Sequence, residues 1–176
     1  HSVPQPPPRD GLVKLERWFG ELFNQAAADR QAGIESIYVR GAALAERLLS
    51  DPQEVRVLHG DIHHRNIRQS SRGWLSFDPK GVVGERTYEC ANTLCNPVMP
   101  ELVHNETRLL TNAAILADAL ALDLARVLAF TYAYACLNAS WWSRRIGPTA
   151  TEDAKTAEGI VRWHLDIAKI IEPHLT

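Results

Sequence analysis

The sequence of 176 residues has few cysteines, little net charge and no long hydrophobic run. Its three cysteines are odd in number and lack CxxC spacing, which speaks against a disulfide framework or a structural zinc site and predicts free thiols. A formal net charge of -2 provides no global basic field of the kind that nucleic-acid binders carry. The longest apolar stretches are too short to span a membrane. We therefore predict a cytoplasmic protein that binds neither nucleic acid nor membranes.

The amino terminus differs in composition from the rest of the chain. The first residue is His1, and prolines stand at positions 4, 6, 7 and 8. Such a proline-rich stretch predicts an extended linker over residues 1–8, because proline favours extended backbone over packed structure. We interpret this linker as the continuation of an upstream part of the protein; the alternative is a tag remnant or a processed terminus.

Most of the chain shows the apolar spacing of amphipathic helices. Asp10 is a plausible N-cap for the first of them, and Asp51-Pro52 ends the second. In the helix near 123–143, Asn138 and Ser140 interrupt the apolar face. The predicted helices cover 10–29, Ile34–Leu49, about Tyr88–Leu94, and then 105–119, 123–143 and 152–171.

A short insert at residues 56–90 has a different residue pattern, with short β-like runs and many polar side chains. Val55, Val57 and Leu58 form a β-like run, and two further short strands, Asn66–Arg68 and Trp74–Phe77, flank a Ser/Gly turn that predicts a hairpin. The polar residues are densest here. The sequence therefore predicts a mainly α domain with a small β-hairpin insert, and places the chemistry on that insert because loops on a rigid scaffold commonly carry functional groups.

The insert contains a spacing typical of phosphoryl transfer. Asp61 and Asn66 stand five residues apart, as in the kinase catalytic loop H-R-D-x-x-x-x-N, and His59 precedes Asp61 by two. Twelve residues after Asn66, at the end of the second hairpin strand, comes Asp78. A hairpin brings its ends together, so Asn66 and Asp78 can face one cation, and Mg²⁺ prefers such oxygen ligands. Asp61 would align the hydroxyl that attacks.

The string His59-Gly60-Asp61-Ile62-His63-His64-Arg65-Asn66 resembles the H-G-D-x-H-x-x-N signature of aminoglycoside phosphotransferases, in the protein-kinase-like superfamily. Together with the segments 73–86 and 91–97, it is similar to the branch containing streptomycin 6-phosphotransferase and hydroxyurea phosphotransferase. The resemblance implies a protein-kinase-like C-terminal lobe over residues 9–176, built as a helical bundle with a catalytic-loop hairpin. It implies ATP and Mg²⁺ as cofactors, a small-molecule acceptor such as a streptomycin-like aminoglycoside or hydroxyurea, and a role in antibiotic resistance. It carries over Asp61 as catalytic base and Asn66 and Asp78 as magnesium ligands.

The sequence also departs from that family pattern. A complete member has an N-terminal lobe, but this chain has neither a Gly-rich loop after a strand nor a V-A-I-K-like segment, so alone it is expected to bind nucleotide poorly and catalyse little. Glu89 stands where relatives more often carry Asp, and its carboxylate is expected to bond the catalytic-loop backbone. His59 is expected to orient that backbone. His63 is assigned a supporting role, bonding Asp78 or Glu89, while its neighbour His64 lies near the acceptor.

Several alternatives stay open on the sequence alone. Lys80 and Arg86 either touch phosphate or are solvated, with solvation favoured. Glu85 either recognises a cationic acceptor or pairs with an arginine, for which Arg86 and Arg65 are candidates. The competing functions are an inert kinase-like lobe used as a binding module and a two-metal phosphohydrolase, although the additional ligand clusters of such a hydrolase do not occur. The substrate-binding residues and the acceptor are not identified by the sequence.

Overall fold

The computed structural model describes residues 11–146 and 152–175. The predicted linker at 1–8 and the N-cap Asp10 lie outside this part of the chain. The helices are α1 (Leu15–Trp18), α2 (Gly20–Gln31), α3 (Ile37–Ser50), α4 (Glu89–Leu94), α5 (Pro100–Val103), α6 (Glu106–Leu120), α7 (Leu124–Ser143) and α8 (Glu152–Ile171). The strands are β1 (Val13–Lys14), β2 (Val55–Leu58), β3 (Ile67–Ser70), β4 (Gly73–Ser76) and β5 (Val82–Glu85).

The mainly helical prediction is confirmed, and polar residues mark where the longer helices begin. Ser36, Asn105 and Asp123 precede α3, α6 and α7, and each side chain accepts a hydrogen bond from a backbone N–H in the first turn. These bonds satisfy donors that have no partner within the helix. Among residues 11–146 and 152–175, no helix combines the length and the hydropathy needed to cross a membrane.

Helix α7 forms the centre of the core. It packs against α2, α3, α4, α6 and α8, and every residue from Val127 to Ser140 is buried. Asn138 and Ser140 interrupt its apolar surface as predicted, yet both are buried and donate to helix carbonyls, those of Tyr134 and Leu137. Their polar groups are therefore satisfied inside the helix, which removes most of the cost of burying them.

The first predicted helix, over 10–29, is wrong at its start. Val13 and Lys14 are extended in β1 and pair in parallel with Val82 and Val83 of β5. Helix α1 begins only at Leu15, and α2 follows after Phe19. The apolar spacing is real, because Leu15, Phe19 and Leu22 are all buried. Pairing with a strand distant in sequence determines the conformation of the preceding residues, which local spacing does not report.

The insert contributes strands to two sheets, where the sequence predicted one hairpin. The predicted hairpin is present as β3 and β4, which pair antiparallel from Ile67–Ser76 to Ser70–Gly73. A second sheet has the order β1-β5-β2, in which β2 and β5 are antiparallel. The catalytic-loop segment, residues 59–66, leaves the end of β2, and the chain returns through residues 77–81 into β5.

Candidate active site

The catalytic-loop segment turns sharply as it leaves β2. Gly60 has a φ of +76°, and a Cβ at this position would lie 2.9 Å from the Val82 side chain on β5. Both observations require glycine, because other residues are strained at positive φ and an added methyl group would displace the strand. The turn ends in a short 3₁₀ helix, His64–Asn66, that leads into β3.

Helix α4 holds this turn through Glu89. The half-buried carboxylate accepts hydrogen bonds from the backbone N–H of His59 and from that of Gly60, the latter at 3.2 Å to Oε2. The contact with the loop backbone is the one expected for this residue. Burial raises the pKa of Glu89, while the two backbone donors act in the opposite direction. One turn further along α4, the Thr93 hydroxyl donates to the Ile62 carbonyl at 2.9 Å.

The Asp61 carboxylate is held on both of its oxygens. Asn66 Nδ2 donates to Oδ2 at 3.2 Å and also to the Asp61 carbonyl at 3.0 Å. Asn92 Nδ2 donates to Oδ1 at 2.7 Å, and the buried Tyr134 hydroxyl donates to Asn92 Oδ1 at 2.6 Å. A chain of hydrogen bonds therefore runs from the core helix α7 through α4 to Asp61. The sequence prediction missed Asn92, and its spacing of three from Glu89 was the available signal.

Asp78 lies beside Asp61, connected to it by Lys80. The Lys80 ammonium is 2.8 Å from Asp78 Oδ2 and 3.2 Å from Asp61 Oδ2. The hydrogen bond with Lys80 lowers the pKa of Asp78, and the bond to Asp78 raises the pKa of Lys80. Lys80 is exposed, as expected, but its charged end also binds two of the three predicted site residues.

Two of the three loop histidines, His59 and His63, have different contacts. His59 joins the two sides of the site: its Nδ1 accepts from the Asp61 N–H at 3.3 Å, and its Nε2 bonds the Phe77 carbonyl at 2.9 Å. His63 Nδ1 accepts from the Arg65 N–H at 3.2 Å, which supports the loop locally. Its Nε2 is 3.5 Å from Asp61 Oδ1, so its ring contacts Asp61 and not the predicted Asp78 or Glu89. Burial lowers the pKa of His63.

Asn66 and Asp78 each offer an oxygen of the kind that a magnesium ion prefers. The Asn66 amide nitrogen is engaged by Asp61, which leaves the amide oxygen as its remaining acceptor. The Asp78 side chain is 63% exposed, so its carboxylate is accessible to a solvated cation. In the described part of the chain, no group of three or more His, Cys, Asp or Glu side chains is arranged to bind a metal. One carboxylate and one amide are nevertheless sufficient for Mg²⁺ that keeps waters and phosphate oxygens as its other ligands.

An open cleft of about 520 Å³ lies next to this cluster. Asp61 and Lys80 line it together with two indole rings, those of Trp18 and Trp141. Trp18 and Trp141 meet edge to face with centroids 5.2 Å apart, and Trp18 Nε1 donates to the buried Tyr88 hydroxyl at 2.7 Å. Two rings of α7, Tyr134 and Trp141, line the cleft. The full lining comprises Val13, Arg17, Trp18, Gly60, Asp61, Lys80, Tyr134, Asn138 and Trp141.

Glu85 is a structural residue, but its partner differs from the predicted Arg86 or Arg65. Its side chain is 1% exposed and receives two hydrogen bonds of 2.6 Å from Arg126, at the start of α7. Arg86 instead bonds Glu54 and the carbonyls of Leu120 and Ala121. The Glu85–Arg126 pair therefore fastens β5 to the core helix, away from the cleft.

The chain is similar to a known protein family and to two streptomycin kinases. Residues 1–146 match the family described as "Aminoglycoside/hydroxyurea antibiotic resistance kinase". A streptomycin 3''-kinase of Klebsiella pneumoniae is 35% identical over 147 residues, covering 81% of this chain and 53% of that protein. A streptomycin 6-kinase of Streptomyces griseus is 28% identical over 145 residues, covering 80% of this chain and 47% of that protein.

The chain thus spans about half the length of the curated relatives it matches. No solved structure matches it. The family match includes the whole catalytic-loop segment, α4, and the return through Asp78. The chain therefore belongs to the aminoglycoside/hydroxyurea antibiotic resistance kinase family.

Proposed function

We propose that the protein containing this chain is an ATP- and Mg²⁺-dependent kinase that phosphorylates a hydroxyl group of a streptomycin-like aminoglycoside. In this proposal the chain is a protein-kinase-like C-terminal lobe over residues 9–176, and it provides the catalytic base and the metal ligands. In this proposal the part that covers the nucleotide corresponds to the additional length of the relatives, of which this chain covers about half.

The arrangement of Asp61 carries this proposal. Its carboxylate opens onto the cleft, Asn66 and Asn92 fix both of its oxygens, and Lys80 connects it to Asp78. A base for an acceptor hydroxyl must lie within hydrogen-bond reach of that hydroxyl, and metal ligands must lie beside it. The position of Asp61 at the cleft surface, with two orienting partners, supports its assignment as that base.

Each residue then has a limited task. Asp61 accepts the hydroxyl proton and aligns the oxygen for in-line attack. Asn66 and Asp78 would hold Mg²⁺, which when bound neutralises charge on the nucleotide phosphates. Glu89 and His59 keep the loop backbone in place, so that the reaction needs little reorganisation of the protein.

The streptomycin-like acceptor class rests on the relatives and on the cleft. Both curated relatives are named as streptomycin kinases, although for different positions of the molecule. The indole rings of Trp18 and Trp141 provide flat apolar walls for a cyclic acceptor, and their faces attract guanidinium cations. Hydroxyurea, which the family description also names, is the second acceptor to test.

The test is phosphoryl transfer by the protein expressed from its full reading frame. Streptomycin or hydroxyurea is incubated with ATP and Mg²⁺, and mass spectrometry detects addition of one phosphoryl group. The Asp61→Asn substitution keeps the size of the side chain but removes its basicity, and its amide nitrogen can no longer accept one of the hydrogen bonds from Asn66 or Asn92. We expect kcat to fall about 10²- to 10⁴-fold, the usual contribution of a general base.

Asp118→Asn is the matched control, since Asp118 is exposed on α6. Its kinetics should equal those of the wild type. Unchanged turnover in Asp61→Asn contradicts the mechanism. Failure of the wild type to phosphorylate any acceptor contradicts the kinase assignment and favours an inert lobe.

A further inference from the structure

Lys80 is the only residue in the site that touches both carboxylates in the described part of the chain. Its ammonium lies 2.8 Å from Asp78 and 3.2 Å from Asp61, and its side chain lines the cleft. An ammonium has three N–H donors. Two of them are directed to Asp61 and Asp78, so a third is available to a ligand that enters between these groups.

The backbone of Lys80 is hydrogen-bonded to the catalytic-loop segment. Its N–H donates to the His59 carbonyl at 2.7 Å, and the next residue, Gly81, turns the chain into β5 with a φ of +66°. His59 in turn bonds Phe77. The lysine is therefore attached at its base to the loop that carries Asp61, while its flexible side chain reaches the position between the two carboxylates.

We propose that Lys80 is a further catalytic residue, whose ammonium contacts the phosphoryl group during its transfer from nucleotide to acceptor. This inference rests on the proposed function. The acceptor hydroxyl lies at Asp61 and the nucleotide phosphates lie at the side of Asp78, so the moving group passes between them. Negative charge in this transition state is spread over three equatorial oxygens, where a fixed cation stabilises it most effectively.

The transfer balances without a further reactant. A bond forms between the acceptor oxygen and the γ-phosphorus of ATP, and the bond from that phosphorus to the bridging oxygen breaks. The electron pair of the broken bond leaves with ADP, and the hydroxyl proton passes to Asp61. Lys80 is neither protonated nor deprotonated in this step, and donates a hydrogen bond to an equatorial oxygen throughout.

The first test compares Lys80→Met, Lys80→Arg and Lys14→Met in the full-reading-frame protein, using ATP, Mg²⁺ and streptomycin. Lys14, on β1, is exposed and does not line the cleft, so it controls for loss of a positive charge. For Lys80→Met we expect kcat to fall about 10²- to 10³-fold, with KM values for both substrates within about threefold, as for loss of one preorganised transition-state donor. Lys80→Arg should recover part of kcat, and Lys14→Met should behave as the wild type.

The second test measures affinity without turnover. ADP, Mg²⁺, aluminium fluoride and streptomycin together imitate the transition state, whereas ADP with Mg²⁺ imitates the ground state. Calorimetry measures the affinity for each set. Lys80→Met should weaken binding of the transition-state set by a factor similar to its loss in kcat. Its affinity for ADP with Mg²⁺ should be unchanged. If Lys80→Met does not fold, Lys80→Arg decides, with partial loss for the first set only.

The outcomes separate this inference from the proposed function. A wild-type kcat in Lys80→Met, or equal weakening of the two complexes, overturns the role of Lys80. The proposed function is tested separately by the loss of kcat in Asp61→Asn. A lower Tm with unchanged kcat means that the lysine only stabilises the fold, which also overturns the inference. Failure of the wild type to transfer phosphate or to bind the transition-state set overturns both.

Discussion

Replacing Arg126 by methionine removes the only charged partner that Glu85 has among the described residues. The Glu85 side chain is 1% exposed, and Arg126 supplies two bonds of 2.6 Å to its carboxylate. Only the bond from the Gln53 N–H, at 2.9 Å, would remain on that group. Arg126 also donates to the carbonyls of Leu48 and Asp51, at 3.2 and 2.7 Å, so the end of α3 loses its connection as well.

The expected loss of stability follows from this burial. Breaking a buried ion pair by removing one partner costs about 3–5 kcal/mol, because the other charge stays buried without compensation. Replacing both residues, as in Glu85→Leu with Arg126→Met, removes the uncompensated charge and should recover most of that loss. Urea-induced unfolding followed by circular dichroism measures each free energy of unfolding.

A surface pair of similar geometry is the control. Arg144 lies 2.7 Å from Glu21 but its side chain is 67% exposed, so Arg144→Met should cost less than about 1 kcal/mol. A loss below about 1 kcal/mol for Arg126→Met would refute the reasoning. A double variant less stable than the single one would refute it equally, because Glu85 would then stabilise the fold without Arg126 and its buried charge could not be the cause of the loss.

Two other predictions concern Asn92 and His164. Asn92→Leu removes the donor to Asp61 Oδ1 and the acceptor of the Tyr134 hydroxyl. The free energy of unfolding should therefore fall by about 1–3 kcal/mol, and kcat should fall as well. Urea unfolding measures the first effect and steady-state kinetics the second. Burial lowers the pKa of His164 to about 4, below the 6.5 of the unfolded chain. The unfolded state therefore takes up the proton first, and stability should fall on the order of 3 kcal/mol as pH drops from 6.5 to 4. His164→Gln should remove that part of the pH dependence, and His64→Gln, on the exposed loop, should not.

The results that contradict these two predictions are separate. Wild-type kcat in Asn92→Leu would mean that Asp61 is oriented without α4. The second test compares how much the free energy of unfolding changes between pH 6.5 and pH 4 in the wild type and in His164→Gln. If the change is the same in both, other groups cause the acid sensitivity.

The helical part of the fold could be predicted because its information is local. Apolar spacing and the N-caps Ser36, Asn105 and Asp123 report directly on the turn that contains them. The three-stranded sheet could not be predicted in this way. Its strands β1 and β5 are short, and Val13 pairs with Val82, which is distant from it in sequence.

The site shows the same division between local and distant information. The spacing of Asp61, Asn66 and Asp78 was readable because they occur on one loop and one hairpin, and the structure places Asp61 in contact with Asn66 and, through Lys80, with Asp78. The role of Asn92 depends on how α4 is rotated against that loop. Arg126 is 41 residues from Glu85 in sequence, so no local pattern connects the two.

The central claim is that Asn66 and Asp78 hold one magnesium–nucleotide while Asp61 faces the acceptor. A crystal structure of the full-reading-frame protein with Mg²⁺ and a non-hydrolysable ATP analogue tests it most directly. We predict that Asn66 Oδ1 and an Asp78 carboxylate oxygen lie about 2.0–2.1 Å from Mg²⁺, with the γ-phosphate between them and Asp61. A metal bound away from these two residues, or a γ-phosphate that points away from Asp61, would contradict the account.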